Sequence, residues 1–393
     1  MIRTLYLGWR YLVYHRLKTS ILVTSITLIL FLPVGLRVIV DQSSKQLTAR
    51  AVSTPLMVGS KGSPLELVLS TLYFRSEIPE TMDYGEAAQV ADSGLARAIP
   101  IYAKFRARGR PIVGTSIEYF AFRGLRIATG RQLARLGECV VGSRAAEAMG
   151  LEPGGHVVSS PESVFDLAGV YPLKMNVAGV LEYSDTADDD AIFVDIKTAW
   201  VIAGLGHGHQ DVSRPEAAGA VLSRDDENVT ANASVVQYTE ITDENRDSFH
   251  FHGDLSGFPI TALVVVPLDH KSSAILQGRY ESEELSTQIV RPITVMDELL
   301  DTILTVQSFV VAGAVIVGLA TLASAALVFM LSLRLRRREI ETLFKIGGSR
   351  LAIGTVMVSE IAVVLLSSVV LAGLLTLVTR EFGSAAIRAL IRM

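Results

Sequence analysis

The chain has 393 residues, half of them hydrophobic and 19% charged, with a formal net charge of -4. A mean hydropathy of +0.40 fits a protein that is part membrane and part water-exposed better than either pure type, and the acidic balance argues against nucleic acid as a partner. A single cysteine, Cys139, excludes an intramolecular disulfide, so any external domain must be held by its own core.

Residues 1–20 carry Leu5, Trp9, Leu12, Val13 and Leu17 among Arg3, Arg10, Arg16 and Lys18. This pattern predicts an amphipathic helix in the lipid interface, with an aromatic anchor and cations for phosphates. The apolar run 21–40 is long enough to be a first span. Pro33 and Gly35 are its kink points, and Arg37 near its far end snorkels outwards. A cleaved signal peptide is the alternative, but the basic stretch before it is long and no small-x-small site follows. The cations before residue 21 place the N-terminus in the cytoplasm.

Residues 41–302 are then external, enough for one large or two modest domains. Strands are expected at 137–142, 175–182, 191–195, 219–222 and 260–266, a helix at 143–151, and a turn at Glu152-Pro153-Gly154-Gly155. Cys139, inside Glu138-Cys139-Val140-Val141, reads as a buried strand residue rather than a reactive thiol. The acidic stretch 185–190 reads as a solvated link between two strands, since the spacing of a calcium loop is missing. Gly59-Ser60-Lys61-Gly62-Ser63 lacks the phosphate-cradling spacing, and Gly-x-x-x-x-Gly-Lys-Ser/Thr occurs nowhere. ATP hydrolysis by that route belongs to another chain, and no arrangement of side chains marks this one as an enzyme.

Four of the seven histidines fall into two copies of His-x-His-x-Asp: His207, His209 and Asp211, and His250, His252 and Asp254. In an extended strand, residues two apart share a face, so each copy presents two imidazoles and a carboxylate together. Those are ligands for zinc or another divalent ion, against the plainer reading of polar loop residues. His156 and His270 read as surface residues, and His15 belongs to the interfacial helix.

Thr294 onward reads as a helix running into a second span at 303–333, which ends abruptly in Arg334, Arg336, Arg337 and Arg338. Arginine at the bilayer centre costs at least about 2.5 kcal/mol, so the stretch 334–350 lies outside the lipid, and its charge marks the cytoplasmic side. Residues 339–346 favour helix, with Ile340, Leu343 and Phe344 spaced for one face, and Gly347-Gly348 ends it. A third span follows at 351–378 with one charge, Glu360, expected in an ion pair with the neighbouring arginines. The tail, 379–393, is too short and too charged to cross and is expected to lie as an amphipathic helix on the outer surface.

The stretch Arg336-Arg337-Arg338-Glu339-Ile340-Glu341-Thr342-Leu343-Phe344-Lys345-Ile346-Gly347-Gly348-Ser349-Arg350 resembles the signature loop of FtsX-like and MacB-like permeases, the membrane subunits of type VII ABC transporters. The external segments from Glu138 to Gly155, from Val177 to Leu181 and from Ala191 to Asp195 are similar to the MacB-type core. The resemblance implies an α-helical membrane protein with a large α+β extracytoplasmic domain of two lobes, one built from both ends of the segment and one inserted near its middle. It implies a bacterial inner-membrane location, a homodimer or a heterodimer with a related permease, and a periplasmic adaptor or lipoprotein partner. It also implies a cytoplasmic ATPase docked on Arg338, Glu339, Ile340, Leu343, Phe344, Lys345, Gly347, Gly348 and Arg350, with movement passed to the external domain. Typical members have a fourth span, which these residues do not supply. The alternatives are an FtsX-type regulator of an external hydrolase and a membrane-anchored metal sensor.

Overall fold

Runs of valine, isoleucine and leucine that are apolar at consecutive positions fold as strands buried on both faces. Such runs form the centre of one compact unit, Arg50–Met296; a second unit comprises Met1–Ala49 and Asp297–Met393. The computed structural model describes residues 6, 10, 12–75, 79–160, 172–209, 221–224, 229–231, 238–282, 284–335, 337–345 and 349–391.

The first elements are α1 (Arg16–Val52), β1 (Leu56–Ser60), α2 (Pro64–Tyr73), β2 (Met82–Asp83), α3 (Gly85–Asp92), β3 (Ala96–Ala107), β4 (Arg110–Thr115) and α4 (Ile117–Arg123). Then come β5 (Ile127–Gly130), β6 (Glu138–Val141), α5 (Ser143–Met149), β7 (His156–Val158), β8 (Lys174–Leu181), β9 (Ile192–Asp195), α6 (Ile196–Ile202) and β10 (Gly206–Gly208). After these follow β11 (Val221–Arg224), β12 (Val229–Ala231), β13 (Phe249–Phe251), β14 (Pro259–Ile260), β15 (Ala262–Pro267), α7 (His270–Arg279) and β16 (Thr287–Val290). The chain closes with α8 (Pro292–Leu335), α9 (Arg337–Lys345) and α10 (Arg350–Ile391).

One mixed sheet runs β16-β1-β15-β3-β4-β9-β6-β8-β5, with β7 also on β8. Its two halves meet at the parallel β4–β9 ladder, where Ile112 lies beside Ile192. One half takes its strands from both ends of the segment and the other from the middle, which is the division the resemblance implies. They are halves of one sheet, however, and not separate lobes. Joined in this way, β4 and β9 leave no apolar strand edge unpaired.

Neighbouring residues alternate between the two faces. Ile112, Cys139, Val141, Ile192, Val194, Leu263 and Val265 pack in one cluster with Trp200 of α6. Val113, Val140, Phe193 and Val264 pack in the other with Tyr119 and Phe120 of α4. A sheet so covered explains why its central strands read as unbroken apolar runs. Cys139 is fully buried, as its context predicts, and burial pushes its thiol far above the usual range.

The stretch 185–190 corrects its expectation. A 3-10 turn, Ala187–Asp190, buries Asp188 and Asp189 to 1% exposure. Asp188 accepts from Arg50 Nη1 at 2.5 Å and Nη2 at 2.8 Å, and from the Tyr119 hydroxyl at 2.8 Å. Arg50 stands on the last turn of α1, which continues well past residue 40 to Val52. Beside it, Arg123 donates to Ser53 Oγ at 3.1 Å and to Thr54 Oγ1 at 2.9 Å. Arg144 reaches Asp190 at 3.1 Å and donates to the Thr186 carbonyl at 2.7 Å. The acidic stretch is buried because its cations arrive from distant parts of the chain, which local composition does not reveal.

Among the described residues, three stretches are long and apolar enough to cross a membrane: Arg16–Gln42, Pro292–Val328 and Val358–Phe382. Ile26 of α1 meets Val364 of α10 in a buried cluster that Leu12, ahead of α1, completes. The Thr27 hydroxyl donates to the Ser368 carbonyl at 3.4 Å, and Ser368 Oγ lies 3.3 Å from the Val23 carbonyl. Gly318 of α8 approaches Ile29 so closely that a Cβ there would lie 3.0 Å from its Cγ2. Small residues and hydroxyl bonds are the usual means of close helix contact in lipid. Helix α8 begins at Pro292, a preferred first helical position, just ahead of Thr294. The expected surface helix at 379–393 is instead a continuation of α10, unbroken to Ile391. Glu360 is 6% exposed, while the Arg350 side chain lies outside the described residues. Of the interfacial helix, residues 1–5, 7–9 and 11 lie outside them too.

Breaking a buried pair strands a charge, so Asp188→Ala is expected to cost about 3–5 kcal/mol, and Arg50→Met with Asp188→Leu to cost less than that single change. Burial alone would raise the Asp188 carboxyl; the charge and hydrogen bonds of Arg50, with the Tyr119 hydroxyl, outweigh it and hold the group below its ordinary 3.8. A depressed carboxylate stabilises the fold above its unfolded value and loses that contribution as pH falls through the folded one. The thermal stability of the full chain is therefore expected to fall below about pH 4, and less so in Asp188→Asn.

Candidate functional site

Helix α9 stands between α8 and α10, helices of 44 and 42 residues. Its sequence, Arg337-Arg338-Glu339-Ile340-Glu341-Thr342-Leu343-Phe344-Lys345, is strongly amphipathic. Arg337 Nε lies 3.2 Å from Glu341 Oε1 one turn on, an exposed pair that contributes little. The Thr342 hydroxyl donates to the Arg338 carbonyl at 2.9 Å, and Lys345 in the last turn complements the helix dipole. Arg338, Glu339, Ile340, Leu343, Phe344 and Lys345 thus share one helix, and Arg350 opens α10. Gly347 and Gly348 lie outside the described residues, as do the side chains of Glu339, Ile340, Leu343, Phe344 and Arg350.

The histidines form a second site within Arg50–Met296. Strands β10 and β13 pair antiparallel, with His207 opposite His250, Gly206 opposite Phe251 and Gly208 opposite Phe249. Alternation sorts this ladder into two faces. On one, Phe249 and Phe251 lie over the glycines: a Cβ at Gly206 would sit 2.4 Å from the Phe251 ring, and one at Gly208 2.5 Å from that of Phe249. Phe251 continues towards Trp200 and Phe258, at centroid distances of 6.4 and 6.0 Å. The other face carries imidazoles. His207 lies 4.8 Å from His250, 5.1 Å from His252 and 5.8 Å from His209 between ring centroids. His209 is 5.1 Å from His250, and His250 is 4.8 Å from His252. One nitrogen from each of His207, His209 and His250 lies within 4.8 Å of the others. Burial first, and then His250, His252 and His209, push the His207 imidazole below its ordinary value.

His250 Nδ1 is 2.9 Å from the Ser248 carbonyl. A carbonyl only accepts, so Nδ1 carries a proton, and in the neutral ring the lone pair is on Nε2. Asp254 does not join the group: it caps the 3-10 turn Leu255–Gly257, accepting from Ser256 N at 3.0 Å and Ser256 Oγ at 2.6 Å. Those bonds hold its carboxyl below the usual range. Asp211 lies outside the described residues. The glycine–phenylalanine face was overlooked in the sequence, although Gly206-His207-Gly208-His209 against Phe249-His250-Phe251-His252 carries it with a period of two.

The family model of the MacB-like periplasmic core domain matches residues 19–238, more than half of the chain. Among solved structures, the periplasmic region of MacB from Actinobacillus actinomycetemcomitans is similar at 12% identity and a TM-score of 0.35, over 63% of this chain and 92% of that one. The extracellular domain of the ABC-type transporter YknZ from Gram-positive bacteria is similar at 12% identity and a TM-score of 0.32, over 60% and 98%. No curated protein matches the chain. A mixed α+β unit of this family joined to helices apolar enough to cross a membrane settles its place: the chain belongs to the MacB-like periplasmic core domain family, as a permease of the MacB/FtsX type.

Proposed function

We propose that the chain is the inner-membrane subunit of a bacterial ABC transporter, worked as a dimer by a separate cytoplasmic ATPase. The observation that carries this reading is α9, an amphipathic helix set directly between two long apolar ones. A short helix with one greasy face suits a partner's groove. Family membership supports an ATPase as that partner, and a sequence without Gly-x-x-x-x-Gly-Lys-Ser/Thr supports hydrolysis in a separate polypeptide.

Helix α8 supports mechanical transmission as the mode of coupling. It is one unbroken helix from Pro292 to Leu335. At 1.5 Å per residue it is about 66 Å long, more than twice the roughly 30 Å of hydrocarbon. Met296, one turn in from its start, is fully buried in the Arg50–Met296 unit. Movement given to the end near α9 reaches the far end along a stiff backbone. The work performed is on a substrate or partner outside, an adaptor or lipoprotein among them, and not on a molecule carried through the bilayer.

Copurification tests the docking. Wild-type chain in detergent is expected to bring the ATPase down, and Phe344→Asp to lose it while the thermal unfolding of the Arg50–Met296 unit stays unchanged. An ATPase retained in full by that variant would overturn the assignment of α9.

A further inference from the structure

We propose that His207, His209, His250 and His252 form a divalent-metal site, with zinc as its ion. The inference stands apart from ATPase coupling, and three observations carry it. First, the imidazoles are gathered from two strands more than forty residues apart in sequence, with His207 directly opposite His250. Chance clustering within one loop does not give that register. Secondly, the ladder spends its other face on packing: Gly206 and Gly208 exist as glycines because Phe249 and Phe251 occupy the space of their side chains. The four histidines are thereby held on the opposite face, where cationic imidazoles at these distances would repel one another. A metal ion replaces that repulsion with four favourable bonds.

Thirdly, His250 already has the outer partner that metal-bound histidines use. Its Nδ1 proton goes to the Ser248 carbonyl at 2.9 Å, leaving Nε2 for the ion. Zinc bonds of about 2.0–2.1 Å in a tetrahedron place ligand nitrogens roughly 3.4 Å apart. The nitrogens of His207, His209 and His250, within 4.8 Å of each other, reach that spacing by small side-chain rotations. His252, exposed and with its ring centroid 5.1 Å from that of His207, takes the fourth position. With nitrogen ligands alone and no thiolate, zinc is favoured over copper(I).

The test is a zinc titration of the full chain in detergent, using a competing fluorescent chelator, with metal content measured after dialysis. One zinc per chain is expected. His207→Ala with His250→Ala should weaken binding by more than about 100-fold, since even the outer partners of metal ligands are worth 10–100-fold. Asp254→Ala should leave the affinity unchanged. Co²⁺ in place of zinc should give the visible bands of a tetrahedral nitrogen site in wild type and not in the double variant, with circular dichroism confirming that both are folded. Zinc bound equally by the double variant, or no zinc retained by wild type at micromolar concentration, would overturn the proposal.

Discussion

Hydrocarbon offers no hydrogen bonds and solvates no charge, and the layout of this chain follows from that. Three helices present large apolar side chains outwards, among them Ile316 and Leu319 of α8 and Leu366 of α10, each more than 60% exposed. In water such surfaces would drive aggregation; in lipid they need no partner. Their polar groups turn inwards instead, as Thr27 and Ser368 do between α1 and α10. The same constraint forces the cations after α8 out of the bilayer, which leaves α9 as a short amphipathic helix outside it.

The Arg50–Met296 unit is governed by the opposite economy. There the sheet excludes water, and the charges taken inside are paired from distant elements. Arg50, Asp188 and Tyr119 come from the end of α1, the turn before β9 and the start of α4. A buried pair of this kind adds little net stability over a well-packed apolar substitute, but losing one partner is costly, so it fixes the geometry of the residues that carry it. The last turn of α1 is fixed in this way within the sheet unit.

What the sequence disclosed divides along the range of the interactions. The apolar stretches, the strands at 138–141, 174–181 and 192–195, the buried Cys139 and the shared face of the paired histidines rest on local periodicity, and all were legible. The strand β3 was not, because Arg97, Lys104 and Arg106 interrupt its apolar residues and obscure the alternation. The burial of Asp188 and Asp189 was hidden for another reason: a run of three aspartates looks solvated until Arg50 and Arg144 are brought to it. Asp254 stands apart from the group that the histidines form. Its spacing from His252 matched a ligand pattern, while Ser256 two residues on was already able to take both of its oxygens. A single sheet in place of two lobes turns on the β4–β9 pairing, a contact between residues some eighty positions apart.

The proposed placement of α9 and the Arg50–Met296 unit on opposite sides of a bilayer is tested most directly by labelling with a membrane-impermeant maleimide on intact spheroplasts. The native background is silent, since Cys139 is fully buried. Leu268→Cys, at a position 68% exposed, is expected to be labelled, and Glu341→Cys to react only after the membrane is opened. Labelling of position 341 in sealed spheroplasts with protection at 268 would contradict the topology on which ATPase coupling depends.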